Sequence, residues 1–175
     1  MNVRGIFKRV SYLFRKYAYS PEDWAKYLGV NIGKNNLIGK NHWSSEPFLI
    51  TIGSNCQLTN CKIFTHGGGN VVRKDHPNFD IFGRVKIGDW VYIGTNSLIM
   101  PGVTIGNNVL VAAGSVVTKS VPERMVVAGN PARIICSIDE YYERNKQWDI
   151  KTKRMTISEK RSILMALPED KFISK

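Results

Sequence analysis

Three histidines, His42, His66 and His76, carry the acid–base chemistry that this sequence offers near neutral pH. A neutral imidazole can accept the proton of a hydroxyl group and so act as a general base. His66 is the strongest candidate, because the three glycines at positions 67–69 would let a ligand approach the backbone closely. His76 precedes Pro77 in an expected turn and is the alternative base, whereas His42 is expected to be structural.

A six-residue repeat in the middle of the chain must position these side chains. β-Branched residues recur at every sixth position in one series: Ile87, Ile93, Ile99, Ile105, Val111 and Val117. A second series precedes it by two residues: Val85, Val91, Ser97, Val103, Val109, Ser115 and Val121. This period fits neither an α-helix nor an alternating strand. It predicts an all-β solenoid of flat triangular coils, in which Ile87 stacks on Ile105 and Ile93 on Val111.

The repeat is interrupted between Ile63 and Val85, which predicts an excursion loop at about residues 64–84. The flanks have helical patterns. We therefore expect a helical segment over residues 1–29, a β-helix over 30–135 and a helical tail over 136–175. Within these flanks, residues 3–17 are amphipathic, Ser20 begins a helix that ends near Gly29, and a further helix covers 158–167.

The charge distribution, the cysteines and the apolar segments indicate which partners, cross-links and cellular location to expect. The formal net charge is +11, but the excess lies in the N-terminal segment and in residues 144–175, so no nucleic-acid-binding face is expected in the middle of the chain. Three cysteines without a Cys-x-x-Cys pair predict neither a disulfide framework nor a zinc knuckle. No apolar run is long enough to cross a bilayer and no secretory signal is recognisable, so we expect a cytoplasmic protein.

Residues 83–135 resemble the hexapeptide-repeat acyltransferases, which include the xenobiotic, galactoside, maltose and serine acetyltransferases. The motifs that carry the resemblance are Val-Lys-Ile-Gly-Asp-Trp-Val-Tyr-Ile-Gly at 85–94, Pro-Gly-Val-Thr-Ile-Gly at 101–106, Ala-Gly-Ser-Val-Val-Thr-Lys at 113–119 and Val-Ala-Gly-Asn-Pro-Ala-Arg-Ile-Ile at 127–135. The resemblance implies a left-handed parallel β-helix with short terminal α-helices, assembled as a homotrimer. Thr65-His-Gly-Gly68 is most similar to the polysaccharide O-acetyltransferase branch.

This resemblance implies that the protein transfers an acetyl group from acetyl-CoA to a sugar hydroxyl, with His66 as the general base and no metal. The carbohydrate acceptor would be a polysaccharide, an oligosaccharide or a glycan precursor. Asp80 or a backbone carbonyl would orient the His66 ring. The positions that match coenzyme contacts in the family are Thr95, Ala113, Gly114, Thr118, Lys119 and Arg133. Lys119 and Arg133 suit the phosphate groups, because a guanidinium binds phosphate oxygens in pairs and an ammonium adds a point charge.

Three other functions compete with this interpretation. Within the same family, the acceptor could be the amino group of a nucleotide-linked sugar. A zinc hydratase on the same fold would need three converging histidines, but the three in this chain do not follow the coil spacing. A non-enzymatic assembly or membrane-surface protein is the third alternative. It would use residues 1–17 for peripheral contact with the inner membrane face, although the apolar side of that segment is better suited to capping the open coil.

Overall fold

The computed structural model describes Val10, Tyr12 and residues 14–174 of the 175-residue chain. These residues belong to two compact units that divide between Ile138 and Asp139. The predicted amphipathic segment over 3–17 lies mostly outside the described residues, of which 14–18 are helical. Among the described helices, none is long and apolar enough to span a membrane.

Helix α1 (Pro21–Leu28) precedes the first coil and has the predicted ends. The Ser20 side chain accepts a hydrogen bond from the Asp23 backbone N–H at 3.1 Å, which satisfies one of the free donors at the helix start. Gly29 ends the helix with φ 107°, a left-handed conformation that glycine adopts without strain. Ala25 faces inward and is completely buried, so α1 packs against the start of the coils.

Twelve short strands then run in rotation through three parallel sheets. The first sheet contains β1 (Asn31–Ile32), β4 (Ile50–Ile52), β7 (Val85–Ile87) and β10 (Thr104–Ile105). The second contains β2 (Leu37–Ile38), β5 (Gln57–Leu58), β8 (Tyr92–Ile93) and β11 (Leu110–Val111). The third contains β3 (His42–Trp43), β6 (Lys62–Ile63), β9 (Leu98–Ile99) and β12 (Val116–Val117). Each coil therefore contributes one strand to each of the three sheets.

The inward side chains stack in the register that the repeat predicts. Ile87 pairs with Ile105, and Ile93 pairs with Val111. Both repeat series are buried, and burial of a branched aliphatic side chain contributes about 1.5–3 kcal/mol. The corners use residues that tolerate positive φ, among them Asn35, Asn55, Asn60, Asn96 and Asn108. The hydrophobic stacks therefore hold the coils together, and asparagine allows the sharp turns between them.

After β12 the chain leaves the repeat and forms an antiparallel hairpin. Strands β13 (Met125–Gly129) and β14 (Ala132–Ser137) pair with each other, and β13 also pairs in parallel with β11. The resemblance assigned residues up to 135 to the coils, so this reversal at Asn130-Pro131 was not predicted. Strand β14 forms the edge of the second sheet beside β13 and carries Arg133.

The loop before β7 and the second unit complete the described structure. The loop contains the short helix α2 (Gly69–Val72). A 3₁₀ turn, Pro47–Leu49, lies one coil earlier. The second unit begins at Asp139, one residue after the start of α3 (Ile138–Asn145). It contains α4 (Ile157–Ala166), whose bounds are close to the predicted range 158–167. It also contains 3₁₀ turns at Lys146–Trp148 and Glu169–Lys171. Thr156 and Glu159 cap α4 reciprocally, and hydrogen bonds from Thr156 lower the pKa of Glu159.

The stacked core can be tested with a pair of neighbouring substitutions. Ile105→Ala should lower the free energy of unfolding by roughly 2–5 kcal/mol, because it removes most of a side chain that is only 1% exposed and leaves a cavity in its place. Thr104→Ala, on the outward face of the same strand, should change it by less than about 0.5 kcal/mol. Urea unfolding of both variants measures the difference, and similar losses in the two variants would contradict the inward stacking of Ile105.

Candidate active site

One corner of the coils brings together the side chains that are best suited to acid–base chemistry. The strands of the third sheet stack in register, with Trp43 on Ile63, Ile63 on Ile99 and Ile99 on Val117. The residues that follow these strands must therefore stack as well. They form what we call the site corner: residues 44–46, 64–66, 100–102 and 118–120. Glu46, His66 and Lys119 all lie on this corner.

His66 stands at the base of the excursion loop, where the two ends of the loop are tied together. His66 and Phe82 form an antiparallel bridge, and the Gly83 N–H donates to the Thr65 carbonyl at 2.7 Å. Gly83 in turn packs against the next coil so closely that a Cβ there would lie 2.3 Å from the Gly102 nitrogen. The loop can therefore vary in its outer part while the backbone of His66 keeps its position.

The His66 ring is held by Glu46, which comes from the coil below. Nδ1 of His66 lies 2.6 Å from Oε2 of Glu46, and the Thr65 hydroxyl donates to the same oxygen at 2.8 Å. The Ser44 hydroxyl is more distant from Nδ1, at 3.4 Å. Desolvation works to raise the pKa of Glu46, but hydrogen bonds from Thr65 and His66 outweigh it and hold that pKa below its ordinary value of 4.5. Glu46 is therefore an ionised acceptor near neutral pH.

This arrangement determines which ring nitrogen can act as a base. An ionised carboxylate has no proton to donate, so Nδ1 must carry the proton that lies between His66 and Glu46. Nε2 then has a free lone pair. The His66 side chain is 38% exposed, which leaves it accessible to a substrate. A carboxylate that fixes the tautomer and stabilises the imidazolium is the arrangement that a histidine base needs.

Asp80 does not have the role that was expected of it. Its carboxylate pairs with the Arg73 guanidinium at 2.8 Å, and Nε of Arg73 donates to the Phe79 carbonyl at 2.8 Å. Asp80 therefore braces the loop internally, and the carboxylate beside His66 belongs to Glu46. The sequence does contain a signal for this partner. Trp43 and Ile63 are stacked and twenty residues apart, and so are Glu46 and His66.

The other two histidines lie apart from this pair. His76 is exposed in the loop, where its backbone N–H donates to the Val72 carbonyl at 3.0 Å. His42 is exposed on the outer face of the third sheet, with its ring 5.8 Å from that of Phe64. Within the described part of the chain, no three histidine, cysteine or acidic side chains are grouped as metal ligands.

The residues expected to bind the coenzyme lie on both sides of β12, the edge strand of the third sheet. Lys119 and Arg133 line one cavity of about 360 Å³ together with Val117, Ser120, Val121, Val127, Ala132 and Ile134. Thr118 is exposed beside Lys119. Thr95, Ala113 and Gly114 lie at the neighbouring corner, where the Gly114 N–H donates to the Thr95 carbonyl at 2.9 Å. The structure thus gathers the two cations in one cavity and the three small residues at another corner.

Comparison with known proteins agrees with this architecture. The bacterial transferase hexapeptide family (six repeats) matches residues 83–119. Protein CapG of Staphylococcus aureus is 44% identical over 149 residues, which cover 82% of this chain and 87% of that protein. The chain belongs to the hexapeptide-repeat transferases.

Two further relatives describe the kind of transferase. The galactoside O-acetyltransferase of Escherichia coli is 32% identical over 130 residues, 74% of this chain and 63% of that enzyme. The crystal structure of a maltose O-acetyltransferase from Clostridium difficile 630 aligns with a TM-score of 0.55 and 31% identity over 66% of this chain and 73% of the other. These neighbours imply a left-handed β-helix, and the three parallel sheets fit it. This hexapeptide-repeat transferase is a CoA-dependent acetyltransferase with acetyl-CoA as its cosubstrate.

The role of Glu46 in the transferase can be tested with Glu46→Gln. The amide can still accept a hydrogen bond from Nδ1 but has no charge to stabilise the imidazolium, so turnover should fall about 10–100-fold. Steady-state kinetics should show the loss in kcat, with the KM for acetyl-CoA nearly unchanged. An unchanged kcat would exclude Glu46 from the mechanism.

The same variant gives a pH test of the ion pair. Because the pKa of Glu46 in the folded protein lies below 4.5, its ionised form stabilises the fold above that pH, and the contribution is lost as the pH falls through the lowered pKa. Urea midpoints should therefore place wild type above Glu46→Gln at pH 5, with the gap closing towards pH 3. A gap that stays constant over this range would contradict the lowered pKa.

Proposed function

We propose that the enzyme transfers the acetyl group of acetyl-CoA to a sugar hydroxyl, with His66 as the general base. The observation that carries the proposal is the imidazole of His66, fixed through Nδ1 by an ionised Glu46 and left with a free Nε2 at an exposed corner. A hydroxyl is a weak nucleophile until its proton is removed, so a positioned base is the minimum requirement for the reaction.

The transfer needs no covalent intermediate on the protein if both substrates meet at the site corner. Nε2 of His66 takes the proton of the acceptor hydroxyl as its oxygen attacks the thioester carbonyl. The new C–O bond forms, the C–S bond breaks, and the imidazolium returns the proton to the departing thiolate of CoA. Glu46 stabilises the imidazolium between these steps. A backbone N–H near the loop base would donate to the oxyanion that forms on the carbonyl.

The positions of the cations support coenzyme binding close to this base. His66 follows β6, and Lys119 follows β12, two strands further along the third sheet. Neighbouring strands lie about 4.8 Å apart, so the two coil positions are separated by roughly 10 Å. Lys119 and Arg133 would bind the phosphate groups of CoA, and Thr95, Ala113, Gly114 and Thr118 would line the path of its pantetheine arm. The thioester could then reach His66 across the outer face of the third sheet, which lies between the two corners.

The acceptor is a carbohydrate in this proposal, as the names of the galactoside and maltose enzymes suggest. Phe82 is well placed to contact it. The residue is 52% exposed, and the centroid of its ring lies 6.0 Å from that of His66. The C–H groups of a sugar ring stack favourably on the electron-rich face of an aromatic ring.

A homotrimer is the assembly that the outer faces of the coils favour. The first sheet presents polar residues outward: Asn31, Thr51, Lys86 and Thr104. On the other two sheets the outward residues of the later coils are apolar, namely Tyr92, Leu98, Leu110 and Val116, whereas the earlier coils carry Leu37 beside the polar Gln57, His42 and Lys62. Contact through these apolar faces, with the polar sheet in solvent, would place the site corner beside a neighbouring subunit.

His66→Ala tests the base directly. Its turnover should fall at least about 100-fold, because general-base catalysis contributes roughly 10²–10⁴-fold in rate. His76→Ala is the matched control, since that histidine is exposed in the same loop but lies outside the Glu46 pair. Coenzyme release, followed with a thiol reagent, measures both variants. Near-normal turnover of His66→Ala, or an equal loss in His76→Ala, would remove His66 from the mechanism.

Arg133→Ala tests the assignment of the coenzyme phosphates. The KM for acetyl-CoA should rise about tenfold, since a charge-assisted hydrogen bond contributes roughly 1.5–3 kcal/mol, while kcat stays nearly constant. Lys86→Ala, which removes an exposed cation from the first sheet, should leave both constants unchanged. A large loss of kcat at saturating acetyl-CoA would contradict a role for Arg133 restricted to coenzyme binding.

A further inference from the structure

A second cavity, unconnected with any role assigned so far, lies at the start of the coils. It has a volume of about 340 Å³ and is formed by the segment before and within α1 and by the first turn between the second and third sheets. Its lining comprises Lys16, Tyr17, Tyr19, Pro21, Trp24, Gly39, Lys40, Asn41 and Trp43. We call it the aromatic–basic pocket.

The lining has the composition of a site for a negatively charged sugar. Four aromatic rings provide faces on which a sugar ring can stack. The Asn41 amide in the lining is held by the next coil, where it accepts from the Cys61 N–H at 2.8 Å and donates to the Leu58 carbonyl at 3.3 Å. Lys16 and Lys40 provide two ammonium groups, and none of the described residues of the lining is a carboxylate that could neutralise them. Arg15 adds a third cation close by, 4.9 Å above the Tyr27 ring. An anionic ligand is favoured by this unbalanced positive charge.

Packing alone does not account for these rings. Trp24 is supported from behind, because it stacks on Tyr27 at 5.5 Å and meets the edge of Tyr12 at 5.0 Å. Tyr17, by contrast, leaves 83% of its surface exposed, and it contributes little to covering the coil end. An exposed ring opposite a rigidly supported one is the arrangement of a stacking site rather than of a core.

The pocket lies close to the site corner along the chain. Trp43 lines the pocket, and the next residue, Ser44, has its hydroxyl 3.4 Å from Nδ1 of His66. From Asn41 to Ser44 the extended chain covers roughly 10 Å. On the outer face between them, His42 and Lys62 are exposed neighbours in register, so the intervening surface is polar and positively charged. An acceptor longer than one sugar could contact both places.

We propose that the aromatic–basic pocket binds a negatively charged sugar unit of the acceptor, away from the hydroxyl that receives the acetyl group. The anion is a uronate or a sugar phosphate, and in either case Lys16 and Lys40 bind it while Tyr17 and Trp24 stack on the ring. This inference rests on the proposed carbohydrate acceptor and adds a charge requirement to it.

Calorimetric titration of the full-length enzyme without acetyl-CoA tests the binding site by itself. The probes are an oligosaccharide of glucuronate and N-acetylglucosamine, its carboxyl-reduced neutral counterpart, and glucose 1-phosphate. At least one anionic probe should bind saturably and the neutral counterpart at least about tenfold more weakly. Comparison of the two anionic probes distinguishes the uronate from the phosphate. Equal binding of charged and neutral oligosaccharides, or no saturable binding of any probe, would overturn the proposal.

Charge-reversal variants locate the binding. Lys40→Glu should lower the affinity for the anionic probe at least about tenfold. Tyr17→Ala should lower this affinity as well. Lys34→Glu is the matched control, because Lys34 is an exposed lysine on the same coil outside the pocket. An equal loss in Lys34→Glu would show attraction to the general positive charge and would overturn the assignment of the pocket.

Kinetics then separate this inference from the proposed function. With an anionic oligosaccharide as acceptor, Lys40→Glu should raise the acceptor KM about tenfold and leave kcat and the KM for acetyl-CoA unchanged. His66→Ala should lower transfer at least about 100-fold but bind the probe as wild type does. Binding without acetylation of any saccharide would reject the proposed function alone, whereas transfer with a KM insensitive to Lys40→Glu would reject the pocket alone.

Discussion

Stacking of inward isoleucine and valine side chains between successive coils is the constraint on which the rest of the structure depends. Each coil contributes strands of only two or three residues, and such strands have little stability alone. The buried stacks from Ile52 through Ile87 to Ile105, and their equivalents in the other two sheets, hold these strands in register. Since a shift by one residue would turn every inward side chain outward, the register is strongly determined. Residues at one corner of different coils are thereby held at fixed spacing.

The candidate site uses this fixed spacing between coils. Glu46 and His66 are twenty residues apart in the chain, yet their side chains meet because Trp43 and Ile63 pair in adjacent strands. The bridge between His66 and Phe82, with Gly83 packed on the following coil, holds the loop base on its other side. The imidazole is therefore positioned by three successive coils rather than by the loop itself. Arg73 and Asp80 stabilise the outer loop, which leaves that part of the chain able to differ without moving the base.

The repeat made much of the fold predictable, because every sixth residue meets the same environment. It predicted the stacked pairs and the interruption at 64–84, and His66 was singled out as a candidate base from its glycines and its place at that interruption. Glu46 was missed because it lies in a stretch where the repeat is irregular and two extra residues lengthen the coil. The antiparallel turn at Asn130-Pro131 was missed for a related reason, since the residues of β13 and β14 remain apolar and β-branched when the chain reverses. The repeat predicts which side chains face inward, but it does not predict the contacts of polar residues that lie outside it.

The two pairs of cations lie in different cavities, which would let one small protein bind the two proposed anionic substrates at separate places. Lys119 and Arg133 lie beside the last coil, whereas Lys16 and Lys40 lie at the first, and the base is on a coil between them. Besides its two cations and Ser120, the cavity at the last coil is lined by aliphatic residues, whereas the one at the first coil includes four aromatic rings. Aliphatic walls beside paired cations suit a flexible thioester arm that ends in phosphates, whereas aromatic faces suit the flat surface of a sugar ring. Under the proposed function, opposite ends of one stacked column would therefore bind different substrates and bring both towards the same imidazole.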